Sequence, residues 1–247
     1  MKADPFAQLK LLDVQALDSR LLRLRHQATH LPELAEIDRI QAARTATAGR
    51  AADAQIKVDD LTVAQKKADQ DVEAVKLRSD RDHQRIDSGA IANPKDLAAM
   101  QRELVTLANR IGVLEDEELE VMEALEEATG TLAGLTAELA GFDTQLDALK
   151  AARDEKLAAI SVEVAMVEAE RGLLVVDLPD DLTALYDKLR GQYGGLGAAE
   201  LRARACGGCM LALDSAELSA IRTKSSDEVV RCENCSRILV RTSESGL

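Results

Sequence analysis

A stripe of apolar residues runs through the middle of the chain at alternating steps of three and four. Between residues 97 and 149 only Glu118 interrupts it. Sustained spacing of this kind places one apolar face along an α-helix and is typical of a coiled coil. Aromatic residues, which supply much of the buried area of an ordinary globular core, make up only 2% of the sequence. The pattern therefore favours long helices over a globular enzyme core.

A second, thinner stripe with the same spacing runs from Ile37 to Ile86. Several of its positions hold only Ala or a polar residue, yet the spacing is kept throughout. Two long helices with matching stripes can pack along each other when the chain reverses between them. We therefore expect an antiparallel coiled-coil hairpin, with Ile86 near Leu97 and Ile37 near Leu146.

The reversal is predicted within DSGAIANPKDL, residues 87–97. Gly89 suits a helix C-terminus, Asn93 suits an N-cap, and Pro94 suits the first helical position, where its missing amide proton does no harm. A helix-stop signal is thus followed directly by a helix-start signal. This predicts a turn near residues 88–94.

The two ends of the hairpin carry further helical signals. Residues 6–30 form an amphipathic pattern that Pro32 should end. The second hairpin helix continues to about Gly172, beyond the reach of the first, so its surplus is expected to pack on the N-terminal helix. We assign residues 1–176 to the helical hairpin, 177–197 to a short helix and glycine-rich hinge, and 198–247 to a separate small domain.

All four cysteines lie in this small domain as two CxxC pairs separated by 22 residues. Two residues between thiols let one tight turn aim both sulfurs at a common point, and Gly207 with Gly208 should give the first turn backbone freedom. Two such turns complete the tetrahedral sulfur shell of a structural zinc site. We predict one structural Zn²⁺ per chain, held by Cys206, Cys209, Cys232 and Cys235.

Three other uses of the thiols remain open at this point. The N-terminus lacks the apolar core of a signal peptide and no stretch is long enough to span a bilayer, so a cytoplasmic protein without membrane association is expected. Cytoplasmic thiols stay mostly reduced, which disfavours disulfides, and thioredoxin-like redox chemistry needs a βαβ setting that the pattern does not offer. Iron in the same sulfur cage is not separated from zinc by spacing alone.

The segments around the cysteines, AELRARA, EVVR and SRILV, have the alternating or β-branched character of short strands. Between them, SAELSAIR should form a helical turn capped by Asp214 or Ser215. The predicted fold is therefore mainly α: a long antiparallel coiled-coil helical hairpin followed by a small C4 zinc-ribbon domain with short β-strands. About fifty residues provide too little core to fold alone, so the metal should supply much of the folding free energy.

SGAIANPKDLAAMQREL at the turn, YDKLR before the glycines and CGGC with CENCSRIL in the ribbon carry a family resemblance. The sequence resembles the bacterial coiled-coil hairpin proteins with a C-terminal C4-type zinc ribbon. That family includes the flagellar regulator that binds the sigma-54 transcription factor, and the chain is most similar to actinobacterial members of undetermined role. The resemblance implies zinc on the four cysteines and binding of a transcription factor or nucleic acid, with a sigma factor or RNA polymerase as candidate partners.

The second cysteine pair departs from the family pattern at two positions. Glu233 stands where the family usually has Pro, and Ser236 where Gly is common. Both changes leave the ligands intact. The added carboxylate makes this part of the ribbon more acidic, which disfavours nucleic acid.

The charge of the chain bears on nucleic-acid binding as well. A net charge of -13 opposes binding along the whole chain, because phosphate contacts need clustered Lys and Arg. The ribbon is less acidic than the rest, so direct nucleic-acid binding through it remains an alternative. Its candidate phosphate contacts are Arg202, Arg204, Arg222, Lys224, Arg231, Arg237 and Arg241.

Other motifs point away from catalysis. No nucleophile stands with a base and an orienting group, and no glycine-rich phosphate loop follows a strand, so we expect a protein that is not an enzyme. His26 and His30 lie four apart on a helix but lack a third ligand, and the acidic run at 115–127 keeps the heptad register of a solvated helix face.

Asp87 and Asp96 flank the turn and form a candidate functional tip. An acidic hairpin tip with a C4 zinc module at its base also resembles the factors that enter the secondary channel of RNA polymerase. The competing interpretation is that both are helix-end residues, since the helix dipole favours Asp96 in a first turn.

Overall fold

The computed structural model describes all 247 residues, which form five helices and four short strands. This architecture confirms the predicted fold class. The elements are α1 (Pro5–Thr29), α2 (Pro32–Asp87), α3 (Pro94–Val176), α4 (Asp180–Gln192), β1 (Ala198–Arg202), β2 (Ala205–Cys206), α5 (Ser215–Thr223), β3 (Val230–Arg231) and β4 (Ile238–Arg241).

The chain divides into two compact units. The hairpin unit comprises Ala35–Leu149, and the ribbon unit comprises Met1–Leu34 together with Lys150–Leu247. None of the helices combines the length and the apolar composition that crossing a bilayer requires.

The hairpin unit is held by the predicted seam. Every stripe position on α2 and α3 is buried or half-buried. Ile37 and Ile40 pack with Leu146 in one buried cluster, which confirms the predicted register at this end of the unit. Ion pairs flank the seam, including Arg44 with Asp143 at 2.6 Å between Nε and Oδ1, but their side chains are largely exposed. Exposed pairs contribute at most about 1 kcal/mol each, so the apolar seam dominates.

The hairpin turn follows the signals in the sequence. α2 ends at Asp87 and α3 begins at Pro94. Gly89 has a φ of 66°, the left-handed conformation that glycine adopts without steric cost. The Asn93 side chain accepts a 2.9 Å hydrogen bond from the Lys95 amide and caps α3.

In the ribbon unit, α1 packs on the last third of α3. Leu17, Leu21 and Leu24 of α1 lie in one buried cluster with Ile160 and Val167 of α3. This confirms the expectation that the surplus of α3 packs on the N-terminal helix.

The strands form one sheet in the order β2-β1-β4-β3. β1 runs parallel to β4, with Ala198 opposite Ile238, while β2 and β3 pair antiparallel with their neighbours. One face of the sheet packs on α1 and α4, where Ala198 and Ile238 share a buried cluster with Leu11, Val14 and Tyr186. The helices therefore supply apolar area that the ribbon lacks.

The N-terminal residues also attach to the ribbon. The Ala3 amide donates to the Asp227 carbonyl at 2.7 Å, and the Val229 amide donates to the Met1 carbonyl at 3.1 Å. These contacts place α1 in the same compact unit as the ribbon. The boundaries predicted from the sequence instead assigned this helix to the hairpin. The boundaries at 1–176, 177–197 and 198–247 remain a prediction.

Candidate metal centre

The four cysteines converge on one point in the ribbon. Their Sγ atoms all lie within 4.8 Å of one another, with Cys206 and Cys232 buried and Cys209 and Cys235 half-buried. The Sγ atoms of Cys206 and Cys235 are 3.8 Å apart, and those of Cys209 and Cys232 are 3.9 Å apart.

These separations fit a tetrahedral zinc site. A Zn–S bond of about 2.3 Å in a tetrahedron places neighbouring sulfurs about 3.8 Å apart. A disulfide would need about 2.0 Å, and the four cysteines are free thiols in this arrangement. Four protein sulfurs fill the coordination shell, which is the arrangement of a structural rather than a catalytic zinc.

The two cysteine pairs sit on two copies of the same tight turn, which we call knuckles. In the first, the Met210 amide donates to the Cys206 carbonyl at 2.8 Å, and in the second the Ser236 amide donates to the Cys232 carbonyl at 2.8 Å. Met210 and Ser236 both follow the second cysteine of their pair, with φ values of 62° and 60°. Each knuckle thus requires a left-handed residue at this place, and neither uses glycine.

The reason for the two glycines of the first knuckle differs from the predicted one. Neither Gly207 nor Gly208 has a positive φ, so the turn does not need their conformational freedom. A Cβ on Gly208 would lie 2.9 Å from the Arg237 Cδ, and one on Gly207 would lie 3.1 Å from the Glu200 carbonyl oxygen. The glycines are there because neighbouring chain segments approach closely.

The thiols differ in their electrostatic surroundings. Burial raises the pKa of the Cys206 thiol and raises that of Cys232 to about 12. Burial also acts to raise the pKa of Cys235, but hydrogen bonds from the Arg237 amide and side chain outweigh it and lower that pKa to about 7. Metals bind the thiolate, so the lowered pKa of Cys235 favours the form of this side chain that binds zinc.

Glu217 and Glu233 connect the helix of the ribbon to its second knuckle. Asp214 caps α5 by accepting from the Glu217 amide at 2.8 Å, as predicted for this position. The Glu217 side chain, in a residue only 8% exposed, accepts a 3.2 Å hydrogen bond from the Glu233 amide. Proline, the usual residue of the family at 233, has no amide proton and would remove this bond.

Most of the candidate phosphate contacts in the ribbon already have partners in the protein. Arg202 pairs with Glu244 at 2.8 Å and Lys224 pairs with Glu228 at 3.5 Å, while Arg222 is exposed on α5. The remaining guanidinium groups donate to backbone carbonyls: Arg204 to Gly246, Arg231 to Ser236, Arg237 to Leu196 and Tyr193, and Arg241 to Lys224, Ser225, Ser226 and Glu228.

The remaining sequence-predicted residues lie away from the metal centre. Asp87 and Asp96 are exposed, at the end of α2 and in the first turn of α3. His26 in the last turn of α1 and His30 at its C-cap are both exposed, and their rings stack with centroids 3.8 Å apart.

Residues 14–194 match the family model of the CT398-like coiled coil hairpin domain, which is well over half of the chain. The chain belongs to this family. Residues 205–239 match the C4-type zinc ribbon domain. Together with the sulfur geometry, this match supports one structural Zn²⁺ held by Cys206, Cys209, Cys232 and Cys235.

Similar proteins extend over the whole chain. An uncharacterized protein of Mycobacterium tuberculosis is 36% identical over 241 residues, with 98% of each chain covered. A solved structure from Mycobacterium smegmatis is 33% identical with a TM-score of 0.87, covering 98% of this chain and 100% of that one. CT398 from Chlamydia trachomatis is 20% identical with a TM-score of 0.69, covering 96% and 98%, and shares the fold. The family resemblance inferred from the motifs is confirmed.

Sequence reasoning missed the residues that attach the ribbon to the helices. Gln15 of α1 accepts from the Gly197 amide at 2.7 Å through its side-chain oxygen, and its nitrogen donates to the Gly195 carbonyl at 2.9 Å. Asp18 of α1 is 1% exposed and binds Arg171 and Tyr186. The available signal was that Gln15 and Asp18 lie next to the apolar stripe of α1, where a polar residue needs a buried partner.

Proposed function

We propose that this protein is a non-enzymatic, zinc-binding adaptor of the cytoplasm that binds a protein partner in transcription or its regulation. The zinc holds the ribbon together, and the coiled-coil hairpin presents the binding surface. The candidate partners are a sigma factor or RNA polymerase, as the family resemblance suggests.

A groove on the hairpin carries this proposal. It has a volume of about 330 Å³ and is lined by Leu119, Met122 and Leu125 beside Gln65 and two glutamates, Glu123 and Glu126. Leu119 and Met122 are 56% and 42% exposed. An apolar centre with a charged rim is typical of protein interfaces, whereas the outer face of a solvated coiled coil is expected to be polar.

On the α3 side of this groove, the charge favours a basic partner. Residues 111–149 of α3 contain no Lys or Arg, while Asp and Glu are frequent in the same stretch. At Glu118 a hydrogen bond with Asp69, desolvation and the charges of Asp69 and Glu115 raise the pKa, which reflects crowded negative charge. A basic amphipathic helix offers both the apolar contacts and the opposite charge.

The basic residues of the ribbon favour a protein partner over nucleic acid. Phosphate binding needs free guanidinium groups, and several of those in the ribbon are bound to backbone carbonyls. The acidic hairpin would further repel phosphate.

The proposal is tested by affinity purification of the full-length protein with chemical crosslinking, using Leu119→Ser with Met122→Ser against the wild type. The control is Val105→Ser, which removes an exposed apolar residue elsewhere on α3. We expect a sigma factor or RNA polymerase to crosslink to the wild type and the control, and to be lost from the double variant. Equal recovery of the partner by all three proteins would contradict binding at the groove. Recovery of RNA or DNA that falls with salt would favour the nucleic-acid alternative.

A second candidate function uses the hairpin tip. Both Asp87 and Asp96 are exposed, so their carboxylates are available to act in the secondary channel of RNA polymerase. Transcription by purified polymerase should then respond to the wild type but not to Asp87→Asn with Asp96→Asn. The matched control is Asp53→Asn with Asp60→Asn, two exposed carboxylates far along α2 from the turn. If Asp87→Asn with Asp96→Asn still changes transcription as the wild type does, this function is excluded.

A further inference from the structure

Arg237 lies between the metal centre and the glycine-rich segment that we define as residues 193–197. Its Nε donates to the Leu196 carbonyl at 2.8 Å, and its Nη2 donates to the Tyr193 carbonyl at 3.4 Å. The guanidinium carbon lies 4.9 Å from the centre of the Tyr193 ring, within the range of a cation–π interaction. The head of this side chain is therefore fixed on the glycine-rich segment.

The rest of Arg237 contacts both zinc knuckles. Its Cδ lies so close to Gly208 of the first knuckle that a Cβ there would be 2.9 Å away. Its carbonyl accepts from the Cys232 amide at 3.0 Å in the second knuckle. A single residue thus contacts both halves of the metal centre.

The helices hold the glycine-rich segment from its other side. The Gln15 side chain bonds to Gly195 and Gly197, and the Gly195 amide donates to the Arg190 carbonyl at 2.8 Å. Gly197 lies so close to α4 that a Cβ would come within 2.7 Å of the Tyr186 carbonyl oxygen. The segment is clamped between Arg237 and the helices, although its glycines would leave it mobile on their own.

We propose that Arg237 is a positioning residue that couples the zinc centre to the glycine-rich segment, so that zinc loading of the ribbon sets the order of residues 193–197. The knuckles lose their common centre when zinc leaves, because metal binding supplies much of the folding free energy of such small modules. Arg237 then loses the two turns that hold its stem, and the segment loses its clamp. This inference is independent of the proposed partner.

Hydrogen exchange of the full-length protein, measured by mass spectrometry with zinc bound and after chelation under reducing conditions, tests the coupling. In the wild type, we expect exchange at Gly195 and Gly197 to rise about tenfold when zinc is removed, the scale of one hydrogen bond to a charged group. In Arg237→Gln, both amides should exchange at the raised rate even with zinc bound, and zinc removal should change them little.

The matched control is Arg231→Gln. Arg231 also lies in the ribbon, and its Nε donates to the Ser236 carbonyl at 2.8 Å within the second knuckle. This variant should keep the wild-type response at Gly195 and Gly197. The coupling would be overturned if zinc removal raised exchange at these two amides equally in the wild type and in Arg237→Gln. It would also be overturned if zinc removal did not change exchange in the wild type.

If Arg237→Gln fails to bind zinc, Tyr193→Leu provides the second variant, because it removes the ring that Arg237 contacts, keeps an apolar side chain at this position and leaves Arg237 in place. We expect elemental analysis to find one zinc per chain in Tyr193→Leu, and exchange at Gly195 and Gly197 to be faster than in the zinc-loaded wild type. Unchanged exchange in that protein would also overturn the proposal.

Discussion

The Tyr186 hydroxyl donates a 2.7 Å hydrogen bond to the Asp18 carboxylate, deep in the ribbon unit. Arg171 Nε and Arg190 Nη1 bind the same carboxylate at 2.7 Å and 2.6 Å. Asp18 lies on α1, Arg171 on α3, and Tyr186 with Arg190 on α4. One buried carboxylate therefore joins the three helices that border the ribbon.

Replacing Asp18 with Asn should lower the free energy of unfolding by about 3 kcal/mol, because two partly buried guanidinium groups then keep only the more exposed Asp187 carboxylate as counter-charge. Urea unfolding followed by circular dichroism measures this loss. Asp13→Asn, an exposed position on the same helix, is the control and should change little. Equal effects of the two substitutions would show that the cluster does not stabilise the unit.

Because the Tyr186 hydroxyl is buried, we expect the free energy of unfolding to fall in alkali. Burial raises its pKa well above the usual range, and the hydrogen bond to Asp18 adds to the shift. Because the folded pKa exceeds the unfolded value of about 10, the contribution is complete below about pH 10 and is lost as the pH rises above it. The stability difference between the wild type and Tyr186→Phe, measured by urea unfolding, should shrink between about pH 9 and about pH 11. A constant difference would contradict this assignment.

Ser236→Gly should stabilise the zinc knuckle. At a φ of 60° a residue with a Cβ is strained by about 1 kcal/mol, and glycine removes that strain. We expect zinc to transfer to a competing chelator more slowly from this variant than from the wild type. Asn234→Gly changes a residue of the same knuckle that has no positive φ, and it should bring no such gain. Equal slowing by both substitutions would argue against relief of strain at Ser236.

Glu233→Pro would restore the usual residue of the family but should destabilise this protein by about 1 kcal/mol, because the buried Glu217 carboxylate loses its amide donor. The loss should be much smaller in a Glu217→Ala background, which has no carboxylate to leave unpaired. Thermal unfolding of the four proteins of this double-mutant cycle measures the coupling. Additive effects would contradict a direct link between the two positions.

The seam, the turn and the zinc ligands were predictable because each rests on a local pattern. Ile37 and Leu146 each belong to a stripe with heptad spacing. Asn93 and Pro94 are residue types that favour the start of a helix, and Cys232 belongs to a CxxC pair. Neighbouring residues alone determine these features, so the sequence displays them directly.

The attachment of the ribbon to the helices was not predictable in the same way. Ala3 pairs with Asp227 through backbone atoms, which every residue has, so no side-chain pattern marks the contact. Gln15 and Arg237 are polar residues whose partners lie far away along the chain. For the same reason, the arginines of the ribbon resembled a phosphate-binding set, although several of them bind carbonyls within the ribbon unit.

The most direct test of the metal centre, on which both the ribbon and its coupling to the helices depend, is native mass spectrometry of the full-length protein purified under reducing conditions. We predict a mass equal to the chain plus one zinc ion, and loss of that zinc from Cys232→Ser. A chain whose mass shows no bound zinc, or a Cys232→Ser variant that retains its zinc, would contradict the account.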